Sequence, residues 1–112
     1  MDIISKADLL ARRFGVEDIE IPEVGTVKVR PLSRAEALNL QGKEMTVEEM
    51  ERHLLSLALV EPNLTYDEVA QWQQNSPAGE IEPVADAIVR LSGMNKAAAK
   101  EAVQRFRGQH GS

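Results

Sequence analysis

One histidine sits where an acid–base pair is conceivable. His53 lies one helical turn after Glu49, with Glu48 and Glu51 beside it, and a carboxylate at that spacing is one way to orient a general base. The same residues read more simply as a solvent-facing helix side with an i, i+4 pair. No second histidine, hydroxyl nucleophile or Gly-rich loop accompanies them. A zinc-binding HExxH helix would need another histidine four residues away, and that position holds Glu49. Gly25 and Gly79 sit in turns without a phosphate-binding pattern. The carboxylates of residues 17–23 alternate along a strand, which is a solvated face and lacks the spacing of a calcium loop. There is no cysteine, which removes disulfides, thiolate metal sites and thiol nucleophiles together. The expectation is a protein that is no enzyme, with no metal and no cofactor.

The charge argues against a nucleic-acid partner. Thirteen basic and eighteen acidic residues give a net charge of −5, and phosphate contacts need a basic surface. The balance is uneven. Residues 94–112 hold Lys96, Lys100, Arg105 and Arg107 against Glu101, a balance of +3, so the remainder carries −8. Arginines near a helix end also compensate the helix dipole, the simpler account of this basic segment. No apolar run approaches the length of a bilayer span, and Met1–Lys6 has no long apolar segment of signal-peptide type. The expected location is the cytoplasm. The chain of 112 residues is 43% apolar and 28% charged, which suits one self-supporting domain.

Elements that would carry these residues follow from periodicity. Ile3, Ala7, Leu10 and Phe14 recur at helical spacing, with Ser5 or Asp2 as cap and Gly15 as stop, so residues 1–15 read as an N-terminal helix. Ile19 and Ile21 alternate with acids, and Val27 and Val29 with Lys28 and Arg30. With the turn Pro22–Gly25 this is an antiparallel hairpin over 17–30. Three capping boxes then open helices: Ser33 with Glu36, Thr46 with Glu49 and Thr65 with Glu68. They predict helices over 33–41, 46–60 and 65–75. The 46–60 helix has the stripe Val47, Met50, Leu54 and Leu57. Leu55, Ala58, Leu59 and Val60 make its second half apolar all round, the mark of a central buried helix. Val69 and Trp72 point inward from 65–75. Ile81, Val84, Ala85, Ile88 and Leu91 predict a helix over 80–92, with Pro83 in its first turn and Gly93 as its stop. Residues 33–92 thus form a helical core. A basic C-terminal helix over 94–107 presents Ala99, Ala102, Val103 and Phe106, and 108–112 form a disordered tail. The fold class is mainly α: five to six helices with a small N-terminal antiparallel β-hairpin.

What remains is binding to protein. Taken singly, each end helix reads most simply as completing the chain's own core. Yet both are peripheral in sequence, and either could lay an apolar stripe on a partner or on another copy. The partner-binding residues assigned on that basis are Ile4, Leu10, Phe14, Val103 and Phe106.

The segment Val27-Lys28-Val29-Arg30-Pro31-Leu32-Ser33-Arg34-Ala35-Glu36 belongs to a recurring order of elements. It follows an apolar hairpin and leads to an apolar helix ending in Leu57-Ala58-Leu59-Val60-Glu61-Pro62-Asn63-Leu64-Thr65. A tryptophan helix from Val69 to Trp72, a Pro77-Ala78-Gly79 turn and an apolar helix closing on Leu91-Ser92-Gly93 come next. Over residues 18–94 the chain resembles the tail assembly chaperones of long-tailed (siphovirus-type) bacteriophages and prophages.

The resemblance implies a non-enzymatic protein of the bacterial host cytoplasm, made during tail morphogenesis and absent from the mature virion. Its implied partners are the tape measure protein, which it keeps soluble, and the tail tube protein, whose subunits it helps recruit. Self-association is implied as well. Many members have a longer form made by ribosomal frameshifting, and this chain corresponds to the short one. Two rivals from the same reading are a head–tail or tail structural adaptor, and a small helical DNA-binding regulator resting on the basic 94–107 segment.

Overall fold

Alternating and helical segments fall close to where the pattern puts them. The computed structural model describes residues 3–12 and 14–94. In chain order these form α1 (Lys6–Leu10), β1 (Glu17–Ile21), β2 (Gly25–Val29), α2 (Arg34–Gln41), α3 (Val47–Ala58), β3 (Leu59–Glu61), α4 (Tyr66–Asn75) and α5 (Glu82–Leu91). The fold is mainly α with one small antiparallel sheet, ordered β1-β2-β3. β1 and β2 form the expected hairpin, with Glu17 opposite Val29, Ile19 opposite Val27 and Ile21 opposite Gly25. In its turn the Val24 N–H donates to the Ile21 carbonyl at 3.0 Å, and Glu23 takes φ 66°.

All three capping boxes form. The Ser33 hydroxyl accepts from the Glu36 N–H at 3.1 Å, and Glu36 accepts from the Ser33 N–H at 2.9 Å. Thr46 and Glu49 exchange the same pair of bonds at 3.1 Å each, as do Thr65 and Glu68 at 3.2 and 2.9 Å. Each box satisfies two backbone donors that a helix start would otherwise leave open. α5 takes Pro83 in its first turn and closes on Gly93 at φ 73°. There the Gly93 N–H reaches the Arg90 carbonyl at 3.1 Å and the Met94 N–H reaches that of Val89 at 3.0 Å, the paired bonds of a Schellman ending.

The core lies between the sheet and α3, α4 and α5. Leu55, Leu59, Ile88, Val29, Val69 and Val84 are its largest fully buried side chains. Each contributes about 1.5–3 kcal/mol through burial alone. Ile19, Val27, Met50, Leu57 and Trp72 pack around them, partly buried. The inner side of the hairpin therefore faces α5, while Asp18 and Lys28 pair at 3.6 Å on its exposed outer side.

Four expectations need correction. The helix predicted over 46–60 stops at Ala58, and Leu59–Glu61 become β3, with Leu59 opposite Val29 and Glu61 opposite Lys28. Glu61 precedes Pro62, which disfavours helical backbone at that residue, and the open edge of β2 supplies partners for an extended segment. Val47, assigned to the inward stripe, is 86% exposed, because it is the first residue of α3 and precedes the part that packs. The predicted helix 80–92 begins at Glu82, with Ile81 as its cap. The N-terminal helix is only Lys6–Leu10; Ala11 is extended at φ −68°, ψ 141°, and none of its residues is buried. It does not complete the core. The predicted helix after Met94 and the tail 108–112 lie outside the described residues.

Candidate partner-binding surface

The N-terminal arm, residues 3–12, is apolar and uncovered. Ser5 opens α1 by accepting the Asp8 N–H at 3.1 Å. Ile3 is 97% exposed, Ile4 54%, Leu9 55% and Leu10 75%. Of the residues assigned to partner binding, Ile4 and Leu10 belong to this arm. Phe14 lies at its root and is half-buried. The Arg12 guanidinium lies 4.8 Å from the Phe14 ring centroid and that of Arg30 lies 5.6 Å away, both within cation–π range. Phe14 thus anchors the arm to the body. Val103 and Phe106 lie outside the described residues.

The body at that anchor is a dense polar corner. Arg30 donates from Nη1 and Nη2 to the two Glu36 carboxylate oxygens, 2.9 Å each, and from Nη1 to the Pro31 carbonyl at 2.9 Å. The bidentate Arg30 guanidinium lowers the Glu36 pKa to about 2 against the opposing effect of burial, and the Ser33 N–H adds to the lowering. The Arg30 N–H donates to the Ala58 carbonyl at 2.9 Å. The Leu32 N–H donates to the Ser92 hydroxyl at 2.8 Å. The Val27–Glu36 segment therefore ties β2, α2, α3 and α5 together through Arg30, Leu32, Ser33 and Glu36.

Beyond the opposite end of the hairpin is an apolar hollow of about 220 Å³, lined by Ile21, Val24, Val27, Leu59, Pro62, Leu64 and Trp72. The Trp72 indole N–H donates to Glu80 Oε2 at 2.7 Å, which fixes the ring as one wall. Val24 is 63% exposed at the lip. Glu23, beside Val24 in the turn, and Glu80, bonded to the indole, give this rim two carboxylates, while Glu61 lies opposite Lys28, which is on the outer side of the sheet. Sequence reasoning placed Trp72 in the core and missed the hollow. Its one visible signal is Val24, an apolar residue in a turn; the other walls meet only after β3 has joined the sheet.

Glu49, the carboxylate one turn before His53, has a partner within its own helix start. That carboxylate is engaged by Thr46, whose hydrogen bonds lower its pKa. The His53 ring instead lies against Tyr66, centroids 4.6 Å apart. Arg52, stacked over Tyr66 at 5.7 Å, bonds Gln73 at 2.6 Å and pairs with Glu48, so these groups lock α3 to α4. Glu17, among the strand carboxylates, pairs with Arg90 at 3.1 Å. Among the described residues no three acidic or histidine side chains cluster to hold a metal ion, and no helix is long and apolar enough to cross a membrane. Comparison with protein-family models, curated proteins and solved structures finds no match.

Proposed function

We propose that this protein is a tail assembly chaperone of a long-tailed bacteriophage or prophage. It binds the tape measure protein in the cytoplasm of the bacterial host, keeps it soluble, helps recruit tail tube subunits and does not remain in the mature virion. The order of segments from the hairpin through Arg30–Glu36, Leu57–Thr65 and Trp72 to Leu91–Gly93 supports this reading by resemblance. The observation that carries it is the arm, where Ile3, Ile4, Leu9 and Leu10 are all solvent-exposed. Exposed apolar side chains grouped on one short segment support a docking role, and an amphipathic or apolar helical client is one that apolar contacts can shield.

Co-expression with the tape measure protein of the same gene cluster tests the reading. The client should be soluble and should co-purify with this chain. Ile4→Asp with Leu10→Asp should abolish both effects while the circular dichroism of the chaperone stays unchanged, because both positions are exposed. An insoluble client, or one solubilised equally by the double variant, overturns the proposal. Recovery of the chain from purified virions would mark a structural adaptor instead.

A further inference from the structure

The arm and the hollow are both uncovered, and they lie at opposite ends of the hairpin. Phe14, the arm's root, rests against Arg30 just beyond the C-terminal end of β2. The hollow opens at Val24, at the turn. The five-residue strand between them spans about 17 Å. Every residue of 3–10 is exposed, so the arm does not fill the hollow of its own chain.

We infer that the arm of one copy seats in the hollow of a second copy. The chemistry of the two surfaces matches. The arm offers aliphatic side chains, Ile3, Ile4, Leu9 and Leu10, and its charged residues Lys6, Asp8 and Arg12 leave it net basic by one. The hollow offers apolar walls with Glu23 beside Val24 and Glu80 on the Trp72 indole at its border. Apolar anchors entering a pocket supply the affinity of such a contact, and the opposed charges set its orientation and partner choice. Arm and hollow are different patches, so a copy defective in one keeps the other. The inference does not depend on the tape measure reading, and its test contains only this chain.

Sedimentation equilibrium of the full chain across a concentration series is the experiment. The wild type should exceed its monomer mass of 12.4 kDa as concentration rises. Leu10→Asp and Val24→Asp alone should each weaken association at least tenfold. An equimolar mixture of the two should recover a two-chain species, because one supplies the hollow and the other the arm. Circular dichroism checks that each variant is folded, and Ile3→Asp and Val24→Ser replace any that is not. A wild type that stays monomeric, single variants that associate like the wild type, or a mixture that stays monomeric overturns the inference.

Discussion

Two helices of this protein open on the same local signal and meet different fates. Ser5 and Ser33 each accept the N–H three residues ahead at 3.1 Å. The helix that Ser33 opens starts at the corner where Arg30, Leu32 and Glu36 are bound to three other elements. Its Leu40 is 3% exposed. The helix that Ser5 opens is five residues long and buries nothing. A cap fixes where a helix starts and contributes about 1 kcal/mol. It does not decide whether the helix packs. That depends on residues distant in sequence: Ala58 and Ser92 serve the Ser33 corner, while Arg30 meets the root of the arm at Phe14.

The widest separation between body and arm should appear on truncating one leucine in each. Leu55 is fully buried, and Leu55→Ala should cost about 3 kcal/mol through lost transfer energy and the cavity left behind. Leu10→Ala should fall within about 0.5 kcal/mol of the wild type, as exposed substitutions do. Urea unfolding at low protein concentration measures both. A Leu10→Ala cost near that of Leu55→Ala would show that the arm packs on its own chain, and the comparison would collapse.

A smaller effect isolates the corner. The Glu36 pKa of about 2 lies below the usual carboxylate range, so the folded state favours the ionised form. Its contribution is fully present above the unfolded pKa and is lost as pH falls from about 4.5 towards 2. Its size is about 2 kcal/mol after allowance for partial solvent screening. Glu36→Gln should destabilise by that order at pH 7, and should flatten the loss of stability between pH 4.5 and 2. Thermal unfolding across that range checks it. An acid limb unchanged in the variant would move the pH dependence to other carboxylates.

The parts readable in the sequence are those fixed by neighbours along the chain. Ser33, Thr46 and Thr65 each bond a residue three ahead, so their spacing suffices. The alternation of Ile19, Ile21, Val27 and Val29 gives the hairpin and its inner face. Leu59–Glu61 had to be chosen between helix and strand by a partner, β2, thirty residues earlier, and apolar periodicity cannot register that. The hollow was hidden for the same reason, since Val24, Leu64 and Trp72 meet only through the assembled sheet. The arm misled in the opposite direction. Ile3, Ala7, Leu10 and Phe14 have core spacing, but nothing in a local pattern states that no surface waits to receive them.

The smallest effect concerns the lip of the hollow. Glu23 holds φ 66° in the hairpin turn, a left-handed conformation that costs a residue with a Cβ about 1–2 kcal/mol. Glycine adopts it freely but loses more backbone entropy on folding. Glu23→Gly should therefore stabilise the fold by about 0.5 kcal/mol net, whereas Glu23→Ala keeps the penalty and should be close to neutral. Urea unfolding of both variants separates conformational relief from loss of the carboxylate. The Glu36 acid limb should be the same in both, because the turn lies at the opposite end of β2 from Arg30. If glycine destabilises while alanine does not, the turn is held by its backbone restriction, and the hairpin tip belongs with the fixed body rather than with the open surface.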